Sequence, residues 1–151
     1  MQRTRFEDSI CPVARSLDTI GEWWSLLIVR DAFQGTRRFS DFQRKLGLAR
    51  NVLSARLKKL VACGIMEMIP ASDGTAYQEY VLTEKGRELL PVLVAMRQWG
   101  ERYLFAPGES HSTLIDKKLR EPLQQLSLKN AAGDALAPED IELVMPPEAK
   151  A

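Results

Sequence analysis

Eight cations, Arg37, Arg38, Arg44, Lys45, Arg50, Arg56, Lys58 and Lys59, crowd the stretch from Arg37 to Lys59 against a single acid, Asp41, in a chain whose formal net charge is only +1. Guanidinium and ammonium groups at that density neutralise a polyanion, and a local cluster gains affinity by counterion release whatever the overall isoelectric point. Asn51, Ser54 and Ala55 are interleaved with them. An Asn amide offers the donor and acceptor that match an adenine edge, a Ser hydroxyl can donate to base or phosphate, and an Ala lets a helix backbone come close to the major groove. The expectation is that Asn51, Ser54, Ala55 and Lys58 enter the major groove of double-stranded DNA while Arg37, Arg38, Ser40, Arg50, Arg56 and Lys59 hold phosphates. The plainer alternative is the solvated face of an ordinary surface helix, and the elements around the cluster decide between the two.

Gly35 and Thr36 close a preceding helix, and Ser40 stands where an N-cap is expected, ahead of a short amphipathic piece from Asp41 to Leu46. Gly47 breaks it, Leu48 and Ala49 carry a turn, and apolar spacing resumes at Leu53, Leu57, Leu60 and Val61 until Gly64. At about 100° per residue those four face inward, leaving Asn51, Ser54, Ala55, Lys58 and Lys59 on the opposite arc with Arg50 and Arg56 at its flanks. Short helix, tight turn and longer helix make a helix-turn-helix. Ile65 to Pro70 and Gln78 to Leu82 then read as two short strands around Asp73-Gly74, a strong hairpin signal, so a wing follows the second helix. Its tip carries no Lys or Arg. The segment Thr83-Glu84-Lys85-Gly86 caps another helix, in which Pro91 implies a bend or restart because it lacks the N–H that would bond Arg87. Leu89, Leu90, Val92, Leu93, Val94, Met96, Trp99, Tyr103 and Leu104 wrap around much of this helix, more apolar surface than a small domain buries alone.

In this order the pieces resemble the HxlR-type winged helix-turn-helix transcriptional regulators. The resemblance rests on Cys11-Pro12-Val13, on Trp24 with Leu26-Leu27-Ile28-Val29-Arg30, on Gly35 with Arg38-Phe39-Ser40, on Leu53-Ser54-Ala55-Arg56-Leu57 and on Leu82-Thr83-Glu84-Lys85-Gly86, and it runs from about Cys11 to Leu104. It implies a homodimeric bacterial transcription factor whose first and last helices build the interface. The expected seam is Val92, Leu93, Met96, Trp99 and Tyr103 with Phe6, Ile10, Val13 and Leu17 packed across it. Some members of this family sense electrophiles or oxidants near the first helix, which makes Cys11, ahead of Pro12 and with Arg15 one turn on, the candidate redox sensor. Cys63 reads as a packing residue. A small-molecule effector held against the apolar last helix is the other expectation for control.

Composition narrows the remaining classes. A chain of 151 residues with 45% hydrophobic content is long enough for one domain with a core plus an extension. It shows no apolar run long enough for a membrane and no signal-peptide segment in MQRTRFEDSI, so a cytoplasmic location is expected. Two distant cysteines without ligand spacing argue against zinc and against a disulfide scaffold. His111, the single histidine, follows Pro107-Gly108-Glu109-Ser110 with no partner base or acid, and Glu139-Asp140 look like a solvated turn, so no catalysis, cofactor or metal is expected. The adjacent Trp23 and Trp24 fall on different helix faces, suiting core and interface rather than a cofactor cage.

The fold class expected is mainly α with a β-hairpin wing, a domain from 1 to 105, and an extension from 106 to 151 containing short strands and docked on the domain or its dimer partner. In the extension Glu109, Asp116, Glu121, Asp134, Glu139, Asp140, Glu142 and Glu148 outnumber Lys117, Lys118, Arg120, Lys129 and Lys150. Leu126 to Lys129 and Ile141 to Leu143 alternate at strand period around a turn at Ala131-Ala132-Gly133-Asp134, with fraying expected after Pro146-Pro147. The function expected is sequence-specific binding of a pseudopalindromic operator; the rival class is a winged-helix protein-interaction module whose basic face meets no specific DNA.

Overall fold

The computed structural model describes residues 5–148. Its elements are α1 (Pro12–Ile20), α2 (Trp23–Phe33), α3 (Phe39–Leu46), α4 (Arg50–Ala62), β1 (Met66–Pro70), β2 (Gln78–Leu82), α5 (Glu84–Arg87), α6 (Leu90–Tyr103) and a 3-10 turn at Pro138–Asp140. The expectations on Met1 to Thr4, and on fraying at the far end including Lys150, lie outside the described residues.

Two compact units divide at Leu93–Val94, inside α6 and not at the linker after Phe105. In the first, Ile28 and Val29 of α2, Phe42 of α3, and Leu53, Leu57 and Leu60 of α4 are sealed from solvent. These are the positions that the three-to-four-residue spacing turns inward, and burying each large side chain contributes roughly 1.5–3 kcal/mol. Leu46, Val61, Leu82, Leu89 and Leu93 pack on this centre. Trp24 joins them while Trp23 stands 83% exposed, so the adjacent pair does part to different faces.

Gly47 ends α3 in the left-handed region at φ 65°, its N–H donating to the Gln43 carbonyl; a Cβ is unfavourable there, which is why a glycine makes this turn. Leu48 drops into the core and Ala49 serves as N-cap of α4. The start of α3 differs from expectation. Arg38, not Ser40, is the N-cap residue, and no side chain caps the helix, so Ser40 sits one residue inside the first turn.

The hairpin β1–β2 is antiparallel with Met66 opposite Leu82 and Pro70 opposite Gln78. Ile65 and Met66 anchor its base in the core, and the Tyr80 N–H donates to the Arg37 carbonyl at 2.8 Å, tying β2 to the chain that leads into α3. Thr83 caps α5, its Oγ1 accepting from the Gly86 N–H at 3.1 Å. That helix lasts four residues, and α6 restarts at Leu90, one residue before Pro91, whose missing N–H cannot bond Arg87.

In the second unit the later half of α6 holds the extension by side-chain bonds. Arg97 donates to the Ser112 carbonyl at 2.6 Å, and Arg102 donates to Gln125 Oε1. Gln98 donates to the Gln124 carbonyl at 3.0 Å and accepts from the Leu126 N–H at 2.8 Å. The expected strands at Leu126 to Lys129 and Ile141 to Leu143 are corrected: among the described residues of the extension, β structure is reduced to two isolated bridges, Ile115 with Pro122 and Lys129 with Ala135. Local side-chain bonds capture the backbone instead. Asp116 Oδ1 accepts from the Lys118 and Leu119 amides, and Asn130 Oδ1 accepts from the Ala132 and Asp134 amides.

Candidate nucleic-acid interface

α4 presents one face made of Asn51, Ser54, Ala55 and Lys58, all exposed, opposite the buried Leu53, Leu57 and Leu60. None of the four gives its side chain to another residue by hydrogen bond or ion pair among the described residues. Arg50, at the N-terminus of the same helix, lies over the Phe39 ring with its guanidinium carbon 5.8 Å from the ring centre. That cation–π contact, of about 0.5–1 kcal/mol for an exposed pair, spans the turn and steadies the charge at the mouth of α4.

The four other expected phosphate-holding cations, Arg37, Arg38, Arg56 and Lys59, are engaged within the protein. Arg56 turns toward α2, its Nε 3.0 Å from Glu22 Oε2 in an ion pair whose N–H does not point at the oxygen. Lys59 Nζ donates to the Asp18 carbonyl at 2.9 Å, tying the last turn of α4 to α1. Arg37 NH1 lies 3.2 Å from Glu79 Oε2, and Arg38 NH2 pairs with Asp73 Oδ2 at the tip of the hairpin. Arg44 is bonded to Asp41 and Lys45 to Thr36 Oγ1. Ser40 is exposed at the start of α3.

Three acids that the sequence reading did not assign to this region therefore shape its charge: Glu22, Asp73 and Glu79. Glu79 is 3% exposed yet fully engaged, its Oε1 accepting from the Ser72 N–H at 3.2 Å and Ser72 Oγ at 3.1 Å. The Ser72 amide bond, with Arg37 beside it, holds this carboxyl below its ordinary range. Asp73 Oδ1 accepts from Thr75 Oγ1 at 2.8 Å and from the Thr75 N–H at 3.0 Å. Those bonds, with Arg38 on the other oxygen, lower its pKa to about 2. The signal in the sequence was that Asp73 is the one ionisable acid in a tip without cations.

The remaining candidates fall as follows. Cys11 is exposed at the N-cap of α1, with Arg15 Nε donating to the Ser9 carbonyl at 2.5 Å; Cys63 is half-buried and packs on the core. An open cleft of about 570 Å³ is lined by Arg5, Glu7, Arg15, Asp18, Thr19, Lys59 and Cys63, and includes none of the α6 residues expected to wall an effector. Phe6, Ile10, Val13 and Leu17 are exposed, as are Val92, Met96, Trp99 and Tyr103 along one stripe of α6. Leu93 instead turns to the core. Among the described residues no helix is long and apolar enough to cross a membrane, and no cluster of His, Cys, Asp or Glu is arranged to hold a metal.

Residues 19–107 match the HxlR-like helix-turn-helix family. The chain is 46% identical over 103 residues to Rv3095 of Mycobacterium tuberculosis, named an uncharacterized HTH-type transcriptional regulator; the match covers 68% of this chain and 64% of that one, less than two thirds of the relative's length. Among solved structures it is similar to PA1607, described as a candidate transcription factor, at 51% identity with a TM-score of 0.90, covering 95% of this chain and all of the other. A likeness of that coverage takes in the extension as well as the winged part. The oxidised form of the redox regulator HypR is 34% identical with a TM-score of 0.55, covering 64% of this chain and 100% of that structure.

Proposed function

The chain belongs to the HxlR-like helix-turn-helix family, and from that premise we propose that it is a transcriptional regulator that binds a pseudopalindromic operator as a homodimer in the cytoplasm. The observation that carries the reading is the free face of α4, where Asn51, Ser54, Ala55 and Lys58 are exposed and have no partner among the described residues. Asn51 and Ser54 suit base readout and Ala55 the close approach of backbone to groove, while Lys58 and Arg50 supply charge. Arg56 and Lys59 serve first to seat α4 on α2 and α1; a phosphate contact by either requires it to leave Glu22 or the Asp18 carbonyl. Arg38 and Ser40 approach the backbone from the start of α3, while Arg37, expected there from the sequence, stays paired with the buried Glu79.

A second copy is the natural cover for the exposed apolar side chains of α1 and for the Val92, Met96, Trp99 and Tyr103 stripe. Two-fold symmetry would set the recognition helices about 34 Å apart, for half-sites centred roughly 10 base pairs apart. The test is selection of bound duplexes from a random pool, followed by titration of the winner. The parent should enrich one palindromic motif. Asn51→Ala should lose about 1–3 kcal/mol and relax one position per half-site. Failure to enrich any motif would favour the protein-interaction module.

Redox control is a second reading, supported by the likeness to HypR, named a redox regulator, and by the exposed Cys11 at the head of α1. Loss of operator binding on diamide treatment should vanish in Cys11→Ser; an unchanged loss in that variant would remove this thiol from the account.

A further inference from the structure

We propose that Asp73 occupies on Arg38 the place of a DNA phosphate, so that the wing clasps a backbone contact in the free protein and sets the affinity of the protein for any duplex by competing with it. The inference rests on the DNA-binding reading above and adds a residue to it.

The two arginines at the head of α3 look alike in sequence but are held differently. Arg37 is paired with Glu79, a carboxylate sealed from solvent and bonded also to Ser72. Removing Arg37 to a phosphate would leave a buried charge short of a partner, which is strongly unfavourable. Its carbonyl is also committed, to the Tyr80 amide. Arg37 is therefore a structural lock on the outer part of the wing, next to its tip.

Arg38 and Asp73 are both substantially exposed, at 38% and 44% of their side-chain surface. Either can return to water or to another ion without leaving a buried charge, so this pair can open. The carboxylate is nonetheless aimed: Thr75 takes Oδ1 by two bonds, leaving Oδ2 for the guanidinium. The ion that would replace Asp73 is an anion with oxygen acceptors at the head of α3, the region that flanks the free face of α4. A phosphate has that chemistry. The wing offers nothing in compensation, because from Pro70 to Gln78 the chain carries no Lys or Arg. A tip freed from Arg38 brings only negative charge toward the duplex.

The expected behaviour is an exchange of anions at Arg38 with little net gain. Asp73→Asn keeps the acceptor that Thr75 uses and removes the charge that competes. It should tighten binding to duplexes of any sequence and add roughly 0.9 per protomer to the slope of log affinity against log salt. Between 50 and 200 mM salt that is about a three- to fourfold steeper loss of affinity per protomer.

The experiment measures fluorescence anisotropy of a labelled mixed-sequence duplex at several salt concentrations with the parent, Asp73→Asn, Arg38→Gln, the double variant, and Glu67→Gln as an equal charge change on the exposed face of β1. Asp73→Asn should exceed Glu67→Gln in both affinity and slope, and its advantage should disappear in the Arg38→Gln background. If Asp73→Asn only equals Glu67→Gln, or keeps its full advantage without Arg38, the clasp is overturned while DNA binding stands. If the parent binds no duplex at any salt, the DNA-binding reading falls and the clasp with it.

Discussion

Gly86→Ala is a sharp test of how the recognition helix and wing are joined. A Cβ on Gly86 would lie 2.1 Å from the Ile65 carbonyl oxygen and 3.1 Å from Leu82 Cδ2, so the start of α5 and the base of β1 would have to part by nearly an ångström. The oxygen it meets is already the hub of the joint. It accepts from the Thr83 N–H at 3.0 Å and from Thr83 Oγ1 at 3.1 Å, while the Ile65 N–H donates back to Leu60 of α4. Forced overpacking costs about 1–3 kcal/mol. Weakening either bond to Ile65 adds about 1 kcal/mol, and the stiffer unfolded chain returns roughly 0.4–1 kcal/mol. The net loss is about 1–3 kcal/mol, or a melting temperature lower by about 5–20 °C for a unit of this size. The assay is circular dichroism melting at fixed protein concentration, with Gly100→Ala as comparator. Gly100 lies inside α6 with nothing nearer its Cβ position than Leu104 Cδ1 at 3.9 Å, so that variant should hold level or gain roughly 0.5–1 kcal/mol. A Gly86→Ala protein that melts with the parent, or a Gly100→Ala protein that melts as low, would refute the reasoning.

Leu57→Ala removes a side chain with no solvent exposure from the inner face of α4 and should destabilise by about 2–5 kcal/mol in urea titration; a loss below about 1 kcal/mol would mean the core is looser than its burial implies. Asp73 has a folded pKa of about 2 against an ordinary 3.8, so its stabilising effect is present above about pH 4 and is lost as pH falls through 2. The urea midpoints of parent and Asp73→Asn should therefore differ by a constant amount from pH 5 to 8 and converge in acid; convergence on raising the pH would contradict the assignment. Trp99→Asp should convert the proposed dimer to monomer in sedimentation at micromolar concentration, because Trp99 is the largest exposed side chain on the α6 stripe; a parent already monomeric would overturn the dimer proposal.

The helix-turn-helix and the hairpin were legible because each rests on local signals: three-to-four-residue spacing, a glycine at φ 65°, and Asp73-Gly74 between apolar runs. The fate of individual cations was not. Arg56 and Lys59 border the outward arc, where a few degrees of helix rotation decide between solvent and the neighbouring helices, and here Glu22 and the Asp18 carbonyl claim them. Arg37 and Arg38 meet acids 42 and 35 residues further along, a pairing that no window of periodicity contains. The extension misled for a different reason. Alternating apolar residues signal a strand only where a partner strand fills the ladder, and from Asp116 to Asp134 short polar side chains fold the backbone onto itself first.

The bond from the Tyr80 amide to the Arg37 carbonyl has a consequence for solubility. A two-stranded hairpin projecting from a domain offers its outer backbone groups to any passing chain, and such open ladders invite aggregation. Here the middle of β2 has its outward N–H taken by the polypeptide's own main chain, and β1 ends in Pro70, which has no N–H to give. The β2 edge is thereby shielded at Tyr80 against pairing with a neighbouring molecule when many copies are crowded together. Variants that pull Arg37 away from Tyr80 should reveal the loss first as turbidity at high concentration, before any change in the melting of the helices.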